Sequence, residues 1–394
     1  MSSQDAIVIV NAARTPMGGL QGSLATLTAP ELGAVAIREA ITRAGLAPAD
    51  VQEVIMGCVL PGGVKQGPAR QAMLQAGIPA SSGATTINKL CGSGMKATML
   101  AHDLIRAGSN DIVVAGGMES MSQAPYVLTK ARSGYRLGHG ELKDHMFLDG
   151  LEDAQTGRLM GSFAQDVADQ EGISREDMDA FALESLKRAQ NAIRSGAFKA
   201  EIVGVPVPGK SGATLVLDDE QPLNAKPEKI PTLKPAFKKD GTITAANSSS
   251  ISDGASAIVL TRASVASARG LKAQARIVAH ATHSRHPGEF TLAPIGAIEK
   301  VLAKAGWKTG DVELWEINEA FAMVTMLPMR KYGLDHATVN VYGGACALGH
   351  PIGSSGSRII ITLIHALRQH GKKRGVAALC IGGGEATAVA IELL

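Results

Sequence analysis

A chain of 394 residues is more than one small hydrophobic core organises, so two or three domains or subdomains are expected. Hydrophobic residues make up 45% and aromatics only 3%, with 45 glycines, which points to aliphatic helices packed closely on a buried sheet. The net charge of +3 carries no nucleic-acid signature, four cysteines make no disulfide framework, and no apolar run reaches the ~18–20 residues of a membrane span. No cysteine or histidine spacing typical of a metal site is present, so no metal is expected. Residues 1–5 have neither the basic nor the apolar part of a secretory signal, and residues 391–394 are not a peroxisomal address, so a cytoplasmic, reducing setting is expected.

Residues 6–10 read as a buried strand, 30–44 as a helix ended by Gly45, 51–56 as a second strand and 70–76 as a short helix. The β-branched run Thr85-Thr86-Ile87 precedes a helical pattern over 95–105. Between them, Asn88-Lys89-Leu90-Cys91-Gly92-Ser93-Gly94 turns a strand into a helix. A helix start offers unpaired N–H groups and the positive end of its dipole, so Cys91 is expected to be a nucleophile of lowered pKa. Gly92 and Gly94 let backbone approach a ligand closely. Residues 111–117 form a further strand with a glycine exit. Strands alternating with helices predict an α/β fold with a parallel sheet and right-handed crossovers.

Residues 120–246 break that pattern and read as an inserted lobe, with helices near 159–171 and 175–195. Its stretch 222–239 carries Lys226, Lys229, Lys234, Lys238 and Lys239, read as a solvated surface run. The first pattern then returns. The segment from Ala29-Pro30 to Asp50-Val51 is echoed from Ala293-Pro294 to Asp311-Val312, and Cys91-Gly92-Ser93-Gly94 by Gly353-Ser354-Ser355-Gly356. One repeat of this length signals a duplicated domain whose helix-starting loops face a common centre.

Three stretches of the second half carry chemical groups to the ends of strands, where parallel sheets bind ligands. Asn318-Glu319-Ala320-Phe321-Ala322 follows a strand over 313–317, Cys380-Ile381-Gly382-Gly383-Gly384 ends another, and the glycine-rich loop 343–353 presents His350. A thiol, an imidazole, a second thiol and an amide arriving together at one edge are much harder to explain as structural groups than any one of them alone. Gly92-Ser93-Gly94-Met95-Lys96-Ala97 also fits a dinucleotide-binding pattern, but Asp111 begins the next strand where the required acid should end it.

With Ala115-Gly116-Gly117-Met118-Glu119-Ser120-Met121-Ser122, these stretches resemble the thiolase family over essentially the whole chain. The resemblance implies an α/β thiolase-like fold of two duplicated βα halves, each with a mixed, mainly parallel sheet, plus an inserted loop lobe. Residues 1–119 and 247–270 would form the N-terminal half, 120–246 the CoA-binding lobe and 271–394 the C-terminal half. It also implies an acetyl-CoA C-acetyltransferase working by ping-pong acyl transfer, with a broader 3-ketoacyl-CoA thiolase as the alternative. Cys91 would be the nucleophile, His350 its activating base, Cys380 the acid/base, Asn318 the holder of an oxyanion-hole water, and Gly382 a backbone donor. Leu151, Met160, Ser249, Phe290, Ala320 and Phe321 would line the substrate tunnel. Coenzyme A would be substrate and product with no further cofactor, acyl-CoA the partner, and the assembly a homodimer or homotetramer. The sequence departs from many relatives at Asn340-Val341-Tyr342-Gly343-Gly344, at Leu159-Met160, at Phe290, and in having no nucleotide-binding arginine near Gln221-Pro222-Leu223.

Overall fold

The structure, a computed structural model, describes residues 5–210 and 212–394. The first half contributes β1 (Ile7–Arg14), α1 (Ala29–Ala44), β2 (Glu53–Gly57), α2 (Pro68–Gln75), β3 (Gly83–Ile87), α3 (Ser93–Ala107) and β4 (Ile112–Ser120). The lobe follows with its helices α4 (Met160–Gln170) and α5 (Arg175–Ser195), after which β5 (Ser252–Arg262) returns to the first half. The second half comprises β6 (Ala275–Ser284), α6 (Ala293–Ala305), β7 (Leu314–Ile317), α7 (Ala322–Tyr332), α8 (Ser355–Gln369), β8 (Arg374–Ile381) and β9 (Glu385–Leu393).

The strands hydrogen-bond in the order β7-β8-β9-β6-β1-β5-β4-β2-β3, with Gly18–Gly19 added beside β5. The two halves join where Val8 and Ile9 of β1 pair with Arg276 and Ala275 of β6. The sheet is mixed. Parallel order is confined to strands linked through helices, β2 with β3, β2 with β4, and β7 with β8. β5, which arrives only after the lobe, and β9, which follows β8 by a tight turn, pair antiparallel with their neighbours. A crossover helix is what parallel neighbours require and a short turn cannot supply.

The duplication is visible in the caps. Helix α1 starts at Thr28, whose hydroxyl accepts from Glu31 N–H while the Glu31 carboxylate accepts from Thr28 N–H at 2.8 Å. It ends at Gly45 with φ 70°, and α6 repeats the design with Pro294 in its first turn and Gly306 at φ 69°. Helices α1 and α2 cover the outer face of the first half, and α6 covers that of the second. α3 and α8 lie between the halves, and residues 355–367 of α8 are all buried. The two central helices touch through glycine. A Cβ on Gly356 would stand 2.4 Å from the backbone nitrogen of Met95, and one on Gly94 would stand 2.5 Å from Ser357 Oγ. No helix among the described residues is long and apolar enough to cross a membrane.

The lobe is tied to the first half by a buried charge cluster. Arg14, at the end of β1, donates to Glu201 at 2.5 Å and to both oxygens of Asp219 at 2.8 and 2.9 Å, with all three side chains buried. Two carboxylates left without their cation in a dry interior are costly. Arg14→Met is therefore expected to lower the unfolding free energy by about 3–5 kcal/mol, read from denaturant curves. A loss under about 1 kcal/mol, the scale of an exposed pair, would mean that the lobe is held by other contacts.

Candidate active site

The turn that presents Cys91 is built by its neighbours. Asn88 Oδ1 accepts from Leu90 N–H at 2.9 Å, and Ser93 Oγ accepts from Lys89 N–H at 2.9 Å while donating to Leu90 C=O at 2.6 Å. These bonds hold Leu90 at φ 47°, a left-handed conformation unusual for a branched side chain. The strain is local to the bend that turns the Cys91 thiol inward. Gly92 and Gly94 serve packing: a Cβ at Gly92 would meet Ile381 at 2.3 Å, and Gly94 faces Ser357. That accounts for both glycines of the dinucleotide-like pattern without a nucleotide.

His350 is buried on the loop leading into α8. Its Nδ1 lies 2.5 Å from Ser355 Oγ, which also lies 3.0 Å from the Pro351 carbonyl oxygen. The carbonyl only accepts, so the serine hydrogen goes there and Ser355 Oγ accepts from Nδ1–H. The proton is thereby fixed on Nδ1, and Nε2, which has no protein partner, keeps its lone pair. The loop is braced on the other half by Glu119, whose carboxylate accepts from Val59, Leu60 and Gly353 N–H at 2.9, 3.0 and 2.9 Å. At the end of β7, Asn340 both donates to and accepts from the backbone of Ile317, and its amide also donates to Glu319 at 2.8 Å. Glu319 in turn accepts from Ser185 Oγ at 2.7 Å and Cys346 N–H at 3.1 Å. The segment carrying Asn318 is thus knitted to the loop carrying His350.

Cys91, His350, Cys380 and Gly382 line one apolar cavity of about 390 Å³, together with Leu151, Met160, Ser249, Phe290, Ala320 and Phe321. Asn318, two residues before Ala320, is not among the lining residues; it is buried, with both amide atoms free of protein partners. The remaining wall comes largely from the lobe and its flanks, including Phe147 and Phe237, which no motif singles out, with Ile352 added from the His350 loop. Phe237 and Phe290 each meet Phe321 edge to face, with ring centroids 6.2 and 6.3 Å away. A second cavity of about 340 Å³ shares Ala245 and Ser250 with the first and is bordered by Lys226 and Lys229. Lys238, by contrast, pairs with Asp169 at 2.6 Å.

Burial dominates the electrostatics. It pushes the Cys91 thiol up to about 11, although the N–H groups of Gly382 and of Cys91 itself pull the other way. These two donors act in the lowering direction, and burial outweighs them. Burial, helped by the Arg358 cation, brings His350 down to about 3. Cys380 is held well above the usual thiol range by burial and by Cys91. Cys58 and Cys346 are also raised, by burial and by Glu119 and Glu319 respectively. The site therefore holds neutral thiols beside a neutral base, and charge arises only as a proton moves. Two thiols, an imidazole with a free lone pair and convergent N–H donors can form and break a thioester and move a proton at an adjacent carbon. Ser355 and Glu119 escaped functional assignment from the sequence. Ser355 reads there as an ordinary helix-starting serine, and the partners of Glu119 are remote in the chain.

Family models describe the same organisation. The thiolase N-terminal domain matches residues 7–264 and the thiolase C-terminal domain residues 271–393. A curated acetyl-CoA acetyltransferase of Escherichia coli is 48% identical over 389 residues, covering 98% of this chain and 99% of its own. One of Pseudomonas aeruginosa is 47% identical over 387 residues, covering 98% of each chain. Among solved structures, a thiolase from Ascaris suum in complex with coenzyme A superposes with a TM-score of 0.94 at 41% identity, covering 99% of this chain and 100% of its own. An acetyl-CoA acetyltransferase of Bacillus anthracis gives 0.97 at 39% identity over the full length of both. With both domain models matched across the two halves that carry this cavity, the chain belongs to the thiolase family.

Proposed function

We propose that this chain is an acetyl-CoA C-acetyltransferase that joins two acetyl-CoA molecules into acetoacetyl-CoA, or runs the reverse thiolysis, through an acetyl-Cys91 intermediate. The observation that carries the reading is the convergence of Cys91, His350, Cys380 and Gly382 on one apolar cavity. The relatives' names support this reading over that of a broader 3-ketoacyl-CoA thiolase. His350 Nε2 takes the Cys91 proton, the thiolate attacks the acetyl-CoA carbonyl, and the proton leaves with the coenzyme A thiol. Cys380, its own proton passed to the free lone pair of His350 Nε2, then removes a proton from the methyl group of a second acetyl-CoA. The carbanion attacks the acetyl-Cys91 carbonyl, the carbon–carbon bond forms as the bond to the Cys91 sulfur breaks, and that sulfur takes back the proton held on His350. The N–H groups of Cys91 and Gly382 stabilise the oxyanion of the acetyl-cysteine, and the free amide of Asn318, through a bound water, that of the enolate.

Coenzyme A is substrate and product in this scheme, with no further cofactor. Its pantetheine would run from the Cys91 cavity past Ser249 and Ser250, and its phosphates would meet Lys226 and Lys229 at the second cavity. The reading carries with it a homodimer or homotetramer and a cytoplasmic setting, consistent with four free cysteines.

The division of labour between the cysteines tests the scheme. Cys380→Ala should still become acetylated at Cys91 by acetyl-CoA, as seen by intact mass. It should lose at least about a hundredfold in making or breaking the carbon–carbon bond, the low end of positioned acid–base catalysis. Cys91→Ala should lose both steps. Condensation by Cys380→Ala at near wild-type rate would send the search for the base elsewhere, to His350 first. Pocket size gives a second test. Phe290, buried against Phe321, and Met160 narrow the acyl end of the cavity. Phe290→Ala should raise thiolysis of six-carbon and longer 3-ketoacyl-CoA relative to acetoacetyl-CoA, and an unchanged ratio would show that Phe290 does not limit chain length.

A further inference from the structure

Three side chains meet where α3 passes β6, and none of them lines the cavity. His102 Nδ1 stands 3.0 Å from Asp103 Oδ1, His280 Nε2 stands 2.9 Å from the same oxygen, and the two ring nitrogens are 3.2 Å apart. The place is roughly 14 Å along α3 from Ser93, at 1.5 Å per residue. Hydrogen bonding alone serves this arrangement poorly. Each ring nitrogen carries at most one hydrogen, so two hydrogens at most must serve three contacts. A cation at the centre would satisfy all three lone pairs at once. A tetrahedral ion with bonds of about 2.0–2.1 Å spans roughly 3.3–3.4 Å between ligand atoms, a few tenths of an ångström wider than the triangle already formed.

We propose that His102, Asp103 and His280 form a binding site for a borderline divalent cation of the zinc, cobalt or nickel type. Two imidazoles and one carboxylate are the donor set such ions take, and three protein ligands leave a fourth position for water. His102 is buried, His280 half-buried and Asp103 exposed, so the site is held on one side and open to solvent on the other. The nearby Lys304 ammonium donates to the His280 carbonyl oxygen at 3.1 Å. The ion would clip α3, which follows the nucleophile's turn in the first half, to β6 of the second. Binding to the folded chain alone would then raise thermal stability.

The test uses untagged, full-length protein stripped with a chelator. Zinc is titrated against a chromophoric competitor, the thermal midpoint is followed, and cobalt(II) spectra report the donor atoms. The proposal predicts one zinc per chain with a raised midpoint, and cobalt bands without thiolate charge transfer. It predicts loss of all three in His280→Ala and in Asp103→Ala, with circular dichroism unchanged. Asp103 is exposed, so its variant keeps the test decisive should His280→Ala fold poorly. Zinc binding and midpoint gain retained in Asp103→Ala, or cobalt spectra dominated by thiolate charge transfer, would overturn the proposal and place any metal at the active-site cysteines.

Discussion

The contact on which the rest of the structure depends is the crossing of the two central helices through glycine. Gly94 of α3 faces Ser357, and Gly356 of α8 faces the backbone of Met95, so one methyl group on either would part the helices. The crossing continues above the helix starts, where a Cβ on Gly117 would stand 1.9 Å from the Gly353 carbonyl oxygen. This close approach brings the Cys91 turn and the His350 loop, homologous parts of a duplicated unit, to one cavity. It also sets the composition of the centre. Small polar side chains pair there, as where Ser256 Oγ lies 2.7 Å from both Ser354 Oγ and Ser357 Oγ.

Close packing has an electrostatic consequence. The same exclusion of water that orders the site raises Cys91 and lowers His350, because each charged form would lose its hydration. A preformed thiolate–imidazolium pair would have to be stabilised against a desolvation penalty of several kcal/mol per ion. The chain instead holds the neutral forms and aims its donors at where charge develops. Ser355 completes this design by fixing the proton on the far side of the imidazole.

Much of this was legible in the chain because it is local. The run Thr85 to Gly94 predicts a strand, a turn and a helix start, and each signal lies within a few residues of Cys91. The repeat was legible because both halves keep a proline in the first turn and a left-handed glycine at the end of α1 and α6. What stayed hidden depends on contacts between remote segments. Alternating strands and helices suggest parallel neighbours, and nothing near residues 252–262 reveals that β5 returns after the lobe to pair antiparallel with β1 and β4. Glu119 is held by Val59 and Leu60 from one remote stretch and by Gly353 from another, and Phe237 reaches the cavity from a lysine-rich stretch that reads as mere surface. At Cys91 the helix start is legible in sequence, and the desolvation that opposes its lowering is not.

The central claim is that the nucleophile rests as a neutral thiol in a dry site and is ionised only during reaction. The most direct measurement is the ultraviolet absorbance of thiolate in the free protein as a function of pH, taken as the difference between the wild type and Cys91→Ser. The account predicts no thiolate signal from Cys91 through neutral pH, with titration beginning only as the pH approaches about 11. A difference signal already complete near pH 7 would show a preformed ion pair and contradict it.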